Sequence, residues 1–512
     1  MDWNKYLYQK VAEKIINNKV KTLFKISDSK GILNSLSAHE VINNANDYIS
    51  LLKSESGKIC VIYHEIDVKL IGFIIAAFFC HVKILIRRTS MNSENDVRMD
   101  IEFVQSIIPV HMIYTDSKFE IVECLTEVEE YNQYDFIQLS SGTTNSAKAY
   151  CLTLEGIIQS AIHIQQVQHL SYNSKFFSYL TLSHIYGFVS GFLLPIVSDS
   201  VGIFCKTSYL KSDPSLLFKL LTREKVTHTS AIISTLIKGL ELKDEVWDLS
   251  SLVCISLGGE KVDISTYNHL LKELKIFNMN ENVLVNSYGM SEKGSITMED
   301  PYYGNCIYEN NGKLYVSVGD AKYYDTEIAI FDDDLKILCD GKEGMIGVKS
   351  PYLAKYYYKK RKQYILDTVT VGNNKWYLNG DCGFIHDSKA FITGRKVNTV
   401  IYNGLKISAD ILNERILVLL NLNHLNIRRC FCFNYPSINN YVVCLIDSRE
   451  TIDKDIINNI SRQILNEYHI HIVDFWITQY EGKRLEKISL PDVIEKYTRL
   501  LDKSGTAALS GG

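Results

Sequence analysis

Hydrophobic and polar positions change period along the chain. Through residues 1–130, short apolar runs alternate with segments of helical spacing. Residues 58–63 read as a strand, 68–80 as an apolar helix, 82–86 as a second strand and 112–114 as a third. Strands separated by helices predict βαβ units and a mostly parallel sheet. The longest apolar run, 70–80, is too short to span a bilayer and predicts a core helix. The alternation continues with strands at 136–139, 177–182, 226–229, 253–257 and 283–286, and with helices over 157–165, 188–194 and 215–223. Residues 312–358 turn to β-rich runs at 313–318, 327–331 and 343–348. From Lys396 a small α+β pattern takes over. A hairpin signal at 400–404 precedes a helix at 408–418, strands at 429–433 and 441–446, a helix at 456–467 and a strand at 470–478. The expected fold class is α/β, with a large multi-sheet N-terminal domain over 1–395 and a small α+β domain over 396–503. Residues 504–512 are small and polar and read as a flexible tail.

Composition narrows this picture. The 512 residues suffice for a large core and at least two domains. A net charge of −4 argues against a nucleic-acid binder relying on bulk positive charge. Twelve cysteines without metal-type spacing predict reduced, mostly buried thiols and a cytoplasmic protein. The first residues lack the apolar core of a signal peptide, and no membrane span is expected.

The densest chemistry lies at 139–148, which reads Leu139-Ser140-Ser141-Gly142-Thr143-Thr144-Asn145-Ser146-Ala147-Lys148. Hydroxyls, free backbone N–H groups in a turn and a lysine make an anion-binding concavity. Strand 136–139 before it and an amphipathic helix after it predict a strand–loop–helix grip on nucleotide phosphates. No Walker-type GK[ST] ending follows, and the stretch alone also fits a polar surface loop.

Further strand ends carry polar residues. His184 follows strand 177–182, where open α/β sheets bind ligands, although a lone histidine there also fits a core or capping role. Gly258-Gly259-Glu260 ends strand 253–257, and Asn286-Ser287-Tyr288-Gly289-Met290-Ser291-Glu292 ends strand 283–286. Tyr288 offers a face for stacking a base, and Glu292 a hard oxygen ligand for Mg²⁺. Asp381 in Gly380-Asp381 and Arg395 in Gly394-Arg395 suit ribose and phosphate. Gly380-Asp381 by itself also fits a tight turn. Lys483, in Gly482-Lys483, alone reads as a solvated surface residue.

The order of these stretches resembles the adenylate-forming superfamily: acyl-CoA synthetases, luciferases, nonribosomal-peptide adenylation domains and fatty acyl-AMP ligases. Residues 140–148 are similar to its phosphate loop and His184-Ile185-Tyr186-Gly187 to its acyl-pocket motif. Gly258-Gly259-Glu260 and 288–292 are similar to its adenine and Mg²⁺ motifs. Stretch 344–357 resembles the fatty acyl-AMP ligases in particular. Gly380-Asp381, Gly394-Arg395 and Gly482-Lys483 match its ribose, hinge and terminal-lysine motifs. Three departures stand out. The phosphate loop ends Asn145-Ser146-Ala147-Lys148, a Pro-x-Thr before the final Gly-Lys is missing, and Val397 occupies a hinge position usually held by Asp or Lys.

The resemblance implies a mobile C-terminal domain and a ligase that activates a carboxylic acid with ATP and Mg²⁺, releasing pyrophosphate. It places Ser140, Ser141, Gly142, Thr143, Thr144 and Lys148 around the phosphates. Gly258, Gly259, Glu260 and 286–291 surround adenine, with Tyr288 stacking on it. Thr144 and Glu292 hold the metal, Asp381 and Arg395 the ribose, and His184 and Lys483 act in catalysis, Lys483 bridging the carboxylate and α-phosphate. The stretch 183–194 has no Asp to pair an α-ammonium, so a fatty, aryl or other non-α-amino acid is expected. The implied acceptor is the phosphopantetheine thiol of a separate acyl carrier protein, with CoA as the alternative. Other readings are a nucleotide or acyl-AMP binder without turnover, and a kinase or NTPase releasing ADP or phosphate.

Overall fold

The computed structural model describes residues 1–478 except 18–21, 88–93, 116–117, 123–132, 140–147, 242–246, 311, 396–398, 404, 424, 426, 428, 435–440 and 449–451. The chain folds as two compact units. One takes in Met1–Asn379 and Phe384–Ile392, the other Gly380–Gly383 and the chain from Thr393 on.

Two large sheets organise the first unit. One has eight strands in the order Gly294–Met298, Leu284–Met290, Cys254–Leu257, His228–Ala231, Lys175–Ser178, Val201–Phe204, Phe24–Ser27 and Leu33–Leu36. Its six inner strands are parallel and its two edge strands antiparallel. The other has seven, from Tyr356–Tyr357 through Ala149–Leu152, Phe136–Leu139, Lys83–Ile86, Ile59–Tyr63 and Met112–Thr115 to Lys118–Ile121. Strand Ile59–Tyr63 is buried at all five positions. A parallel strand covered on both faces reads as a continuous apolar run for this reason.

The apolar run after it forms helix Val68–Phe79, started by Asp67, whose carboxylate accepts from the Leu70 N–H at 2.7 Å. It packs against helix Ala38–Leu52, which carries a Ser37/Glu40 capping box. No helix among the described residues is long and apolar enough to cross a membrane. A third, β-rich sheet is built on Lys322–Tyr323, Thr326–Phe331, Gly344–Lys349, Asn374–His386 and Thr368–Val371, with Lys389–Arg395 beside Asn374–His386.

In the second unit, hairpin Thr399–Tyr402 and Leu405–Ser408 leads to helix Ala409–Leu422. Strands Arg429–Asn434, Val442–Asp447 and Ile472–Thr478 and helix Lys454–Tyr468 complete it. Val400, Leu412, Ile416, Cys432, Cys444 and Ile464 lie in its own apolar core.

Three local expectations are corrected. The stretch after Leu139 does not lead straight to a helix. Ala149–Leu152 intervenes as a buried strand, antiparallel to Phe136–Leu139, before helix Leu154–Val167 begins at its Thr153 cap. The strand expected over 283–286 runs on to Met290 and pairs with Gly294–Met298 through a bulge at Tyr288/Gly289. The helix expected over 188–194 is wound wide: Gly187–Leu193 is a π-helix, with the Leu194 N–H reaching back to the Val189 carbonyl. Gly187 admits this close packing, because a Cβ there would stand 2.2 Å from the Thr181 carbonyl oxygen.

Candidate active site

Ser140, Ser141, Gly142, Thr143 and Thr144 lie outside the described residues, as do Val397, Gly404, Lys483 and 504–512. Lys148 is described, at the start of strand Ala149–Leu152. Its Nζ donates to Asp367 Oδ2 at 2.6 Å and to the Tyr357 hydroxyl at 3.4 Å, and sits 4.5 Å from the centre of the Tyr357 ring. Tyr357 is carried beside Lys148 because Tyr356–Tyr357 pairs with Tyr150 and Cys151 of that strand.

From this cation a chain of oxygens runs into the core. Tyr357 donates to Asp367 Oδ2 at 2.5 Å, its hydroxyl meets the Tyr377 hydroxyl at 2.6 Å, and Tyr377 meets Glu292 Oε1 at 2.7 Å. Three short oxygen–oxygen contacts need three protons, and two tyrosines bring two. The third belongs on a carboxyl group. Glu292 is 7% exposed, and burial raises its pKa above the ordinary carboxylate range, against the hydrogen bond from Tyr377. Burial also pushes both tyrosine hydroxyls well above their usual range, so they stay neutral donors.

Lys148 and Glu292, the phosphate and metal candidates, are therefore joined in one hydrogen-bonded array. Asp367, Tyr357 and Tyr377 hold it together, and the sequence reading gave none of the three a role. The run Tyr356-Tyr357-Tyr358 was the available signal. A buried carboxylate with hard oxygens fits Mg²⁺, which commonly takes one or two protein carboxylates and completes its shell with water and substrate phosphate.

Around Glu292 the strand residues are tightly committed. Asn286 is buried and donates from Nδ2 to the Ser317 carbonyl at 3.1 Å, and the Ser287 hydroxyl donates to the Leu257 carbonyl at 2.7 Å. The Tyr288 hydroxyl accepts from Asn379, which also reaches Met290 Sδ at 3.7 Å. Gly289 packs on the Gly294 carbonyl, where a Cβ would lie 2.6 Å from the oxygen. Ser291 is half-buried. Gly258 is pressed between Tyr186 and Ser287: a Cβ would sit 3.0 Å from Tyr186 Cζ and 3.1 Å from Ser287 Oγ. Gly259 has φ +78°. Glu260 turns to Ser234, accepting from its hydroxyl at 3.0 Å and from its N–H at 3.2 Å. Tyr186 donates to the Ser256 carbonyl at 3.0 Å, so the stretch after His184 is fastened to the glycine turn. His184 itself is exposed, in the turn before the π-helix, and its carbonyl accepts from the Phe188 N–H at 2.9 Å.

In the second unit, Arg395 Nε donates to Asp381 Oδ1 at 2.9 Å, so the two ribose candidates form an ion pair. Gly380 has φ +83° within the continuous strand Asn374–His386, and the tight turn comes later, at Asp387 and Ser388 with φ 46° and 67°.

Residues 80–358 match the model of the AMP-binding enzyme family. Aspulvinone E synthetase of Aspergillus terreus is 26% identical over 282 residues, covering 52% of this chain and 30% of that protein. The chain thus spans about a third of the length of the curated relatives it matches. A solved fatty acyl-adenylate ligase, from work on the E. coli and L. pneumophila enzymes, superposes with a TM-score of 0.80 at 15% identity, covering 98% of both chains. The O-succinylbenzoate coenzyme A synthetase of Bacillus subtilis, in complex with ATP and magnesium ion, superposes with a TM-score of 0.73 at 18% identity, covering 95% of this chain and 99% of that one. The chain belongs to the AMP-binding enzyme family and shares the fold of these solved enzymes.

Proposed function

We propose that this AMP-binding enzyme joins ATP to a carboxylic acid other than an α-amino acid and passes the acyl group to the phosphopantetheine thiol of a separate acyl carrier protein. One observation carries the reading: the array from Lys148 to Glu292, which ties a phosphate-type cation to a buried carboxylate 144 residues away in sequence.

In the first half-reaction a carboxylate oxygen of the acid attacks the α-phosphorus of ATP. The bond from that phosphorus to the bridging oxygen breaks, and pyrophosphate leaves with the electron pair. The barrier is lowered mainly by positioning and by charge placed where anions converge. Lys148, with 140–144, serves the β- and γ-phosphates. Asp367 and Tyr357 hold its ammonium in place until phosphate oxygens replace the carboxylate. Glu292 would hold magnesium, with Thr144 as the second candidate. The metal, when bound, would neutralise phosphate charge. Gly258, Gly259 and Tyr288 serve adenine, Asp381 and Arg395 the ribose, and Lys483 the two reacting anions. His184 borders the acid. In the second half-reaction the thiol sulfur attacks the acyl carbon, AMP leaves and the thiol proton is released.

The choice of acid rests on residues 183–194, which offer no carboxylate to an ammonium. A buried ammonium without a partner costs several kcal/mol, roughly 2–7 on transfer scales. A carrier protein is preferred to CoA because stretch 344–357 resembles fatty acyl-AMP ligases and no basic cluster flanks 403–406 beyond Lys406 and Arg415. The fit to a coenzyme A synthetase of the same fold keeps CoA as the second reading. ATP–pyrophosphate exchange over a panel of acids tests the first half. Exchange with α-amino acids alone contradicts the acid class, and ADP release contradicts adenylation. Offering CoA and holo carrier protein side by side tests the acceptor, and acyl-CoA formation with no carrier loading overturns it.

A further inference from the structure

Two stretches of the candidate site come from different sheets. The phosphate stretch follows strand Phe136–Leu139 of the seven-stranded sheet, and the stretch proposed to meet the acid follows strand Lys175–Ser178 of the eight-stranded one. Side chains two apart on a strand share a face, and Phe136 and Gln138 both turn to the acid stretch. Phe136 stacks on Phe188 of the π-helix, with ring centres 4.6 Å apart. Gln138 is 3% exposed, and its Nε2 donates to the Ser183 carbonyl and to the Leu139 carbonyl, each at 3.0 Å.

Both partners are carbonyl oxygens, which only accept, so the amide nitrogen faces them and both of its N–H groups are used. One carbonyl immediately precedes Ser140, and the other immediately precedes His184. Because one nitrogen holds both, the two oxygens stay within about 6 Å of each other. Ser183 is itself fixed. It is buried, its N–H donates to Thr181 Oγ1 at 3.3 Å, and its hydroxyl meets the same oxygen at 3.0 Å. The His184 N–H donates to the Thr181 carbonyl at 3.3 Å. The other end of the Gln138 amide has no such match. Its Oε1 is buried with no hydrogen-bond partner among the described residues. An unpartnered buried acceptor is destabilising, and a methionine of similar length would fill the space without one. Packing alone does not account for an amide at this position, whereas its two donors do.

We infer that Gln138 is a positioning residue. It sets the distance between the acid stretch and the phosphate stretch, and so governs the rate at which the acid's carboxylate attacks the α-phosphorus and displaces pyrophosphate, rather than the affinity for either substrate. The inference rests on the adenylation reading above. The reacting atoms must lie about 3–3.5 Å apart, and a misplacement of about 1 Å can cost about a hundredfold in rate. The Phe136–Phe188 contact is apolar and tolerates sliding, whereas two directional bonds from one planar amide do not.

The test compares the full-length wild type with Gln138→Met and Gln138→Glu. Pyrophosphate exchange is read with the best-used member of a panel of straight-chain acids from acetate to decanoate, benzoate and cinnamate. Binding of α,β-methylene-ATP is read by calorimetry. Rates are taken well below each melting temperature and divided by the folded fraction. Gln138→Met should lower kcat about tenfold to a hundredfold, with the KM for the acid and the Kd of the analogue within about threefold of wild type. Gln138→Glu donates only while protonated, and through one hydrogen instead of two, and its carboxylate form turns a negative charge on two carbonyls. Its exchange rate relative to wild type should therefore fall as pH rises from about 5 to about 9. A loss of stability alone moves neither the split between kcat and binding nor that ratio. An unchanged kcat in Gln138→Met, or a fall in kcat matched by an equal weakening of analogue binding, overturns the inference. Where Gln138→Met does not fold, a pH-independent ratio for Gln138→Glu overturns it. No exchange by the wild type with any acid of the panel sinks the adenylation reading and this inference with it, whereas exchange that Gln138→Met leaves intact sinks this inference alone.

Discussion

Replacing Tyr377 with Phe removes one oxygen from the middle of the array and keeps the ring. Tyr377 is 2% exposed, and its hydroxyl meets Tyr357 at 2.6 Å and Glu292 at 2.7 Å. Two contacts are lost, and Glu292 keeps a proton or a lone pair facing a hydrocarbon edge. Each bond contributes about 1 kcal/mol net, and a buried partner left unsatisfied costs about 1–3 kcal/mol. The expected loss is about 2–4 kcal/mol, read as a lower denaturation midpoint. Activity should fall as well, through a higher KM for Mg²⁺-ATP, because the carboxyl group is no longer held in place. A double-mutant cycle with Glu292→Gln isolates the link. Coupling of about 1–2 kcal/mol is expected for groups in direct contact. If Tyr377→Phe stays within about 0.5 kcal/mol of wild type, as surface changes do, and adds independently to Glu292→Gln, the array positions nothing.

Three further outcomes follow from the same geometry. Glu292 has a raised folded-state pKa, so between the unfolded value and that raised value the folded chain binds the extra proton and stability falls as pH rises, with a slope approaching about 1.4 kcal/mol per pH unit. Glu292→Gln should flatten that slope in pH-dependent melting while abolishing Mg²⁺-dependent exchange, and an unchanged slope refutes the assignment. Gly258→Ala inserts a methyl 3.0 Å from Tyr186 and should cost about 1–3 kcal/mol and weaken ATP binding, measured by melting and calorimetry. Lys483→Ala should lower acyl-AMP formation by roughly a hundredfold or more while ATP still binds, and near-normal exchange would refute its role.

The sequence alone determined a good deal. The order of strand, polyhydroxyl stretch, His184, glycine turn, Tyr288–Glu292 and Gly380-Asp381 was enough to identify the family, because these are local patterns whose spacing does not depend on packing. Buried strands such as Ile59–Tyr63 and the capped helix Val68–Phe79 were legible for the same reason: hydrophobic period and caps act over a few residues. What escaped was set by partners far along the chain. Ala149–Leu152 is buried at every position and shows no alternation, so only its pairing with Phe136–Leu139 and Tyr356–Tyr357 makes it a strand. The wide turns of Gly187–Leu193 depend on a carbonyl from Thr181 pressed against Gly187. Glu260 is drawn to Ser234, and Lys148 to Asp367, 219 residues away. The burial that raises Glu292 is likewise set by partners as distant in sequence as Tyr377. Residue type sets which protons and charges a site can hold, whereas desolvation and distance decide which of them it does hold, and both are properties of the packed fold.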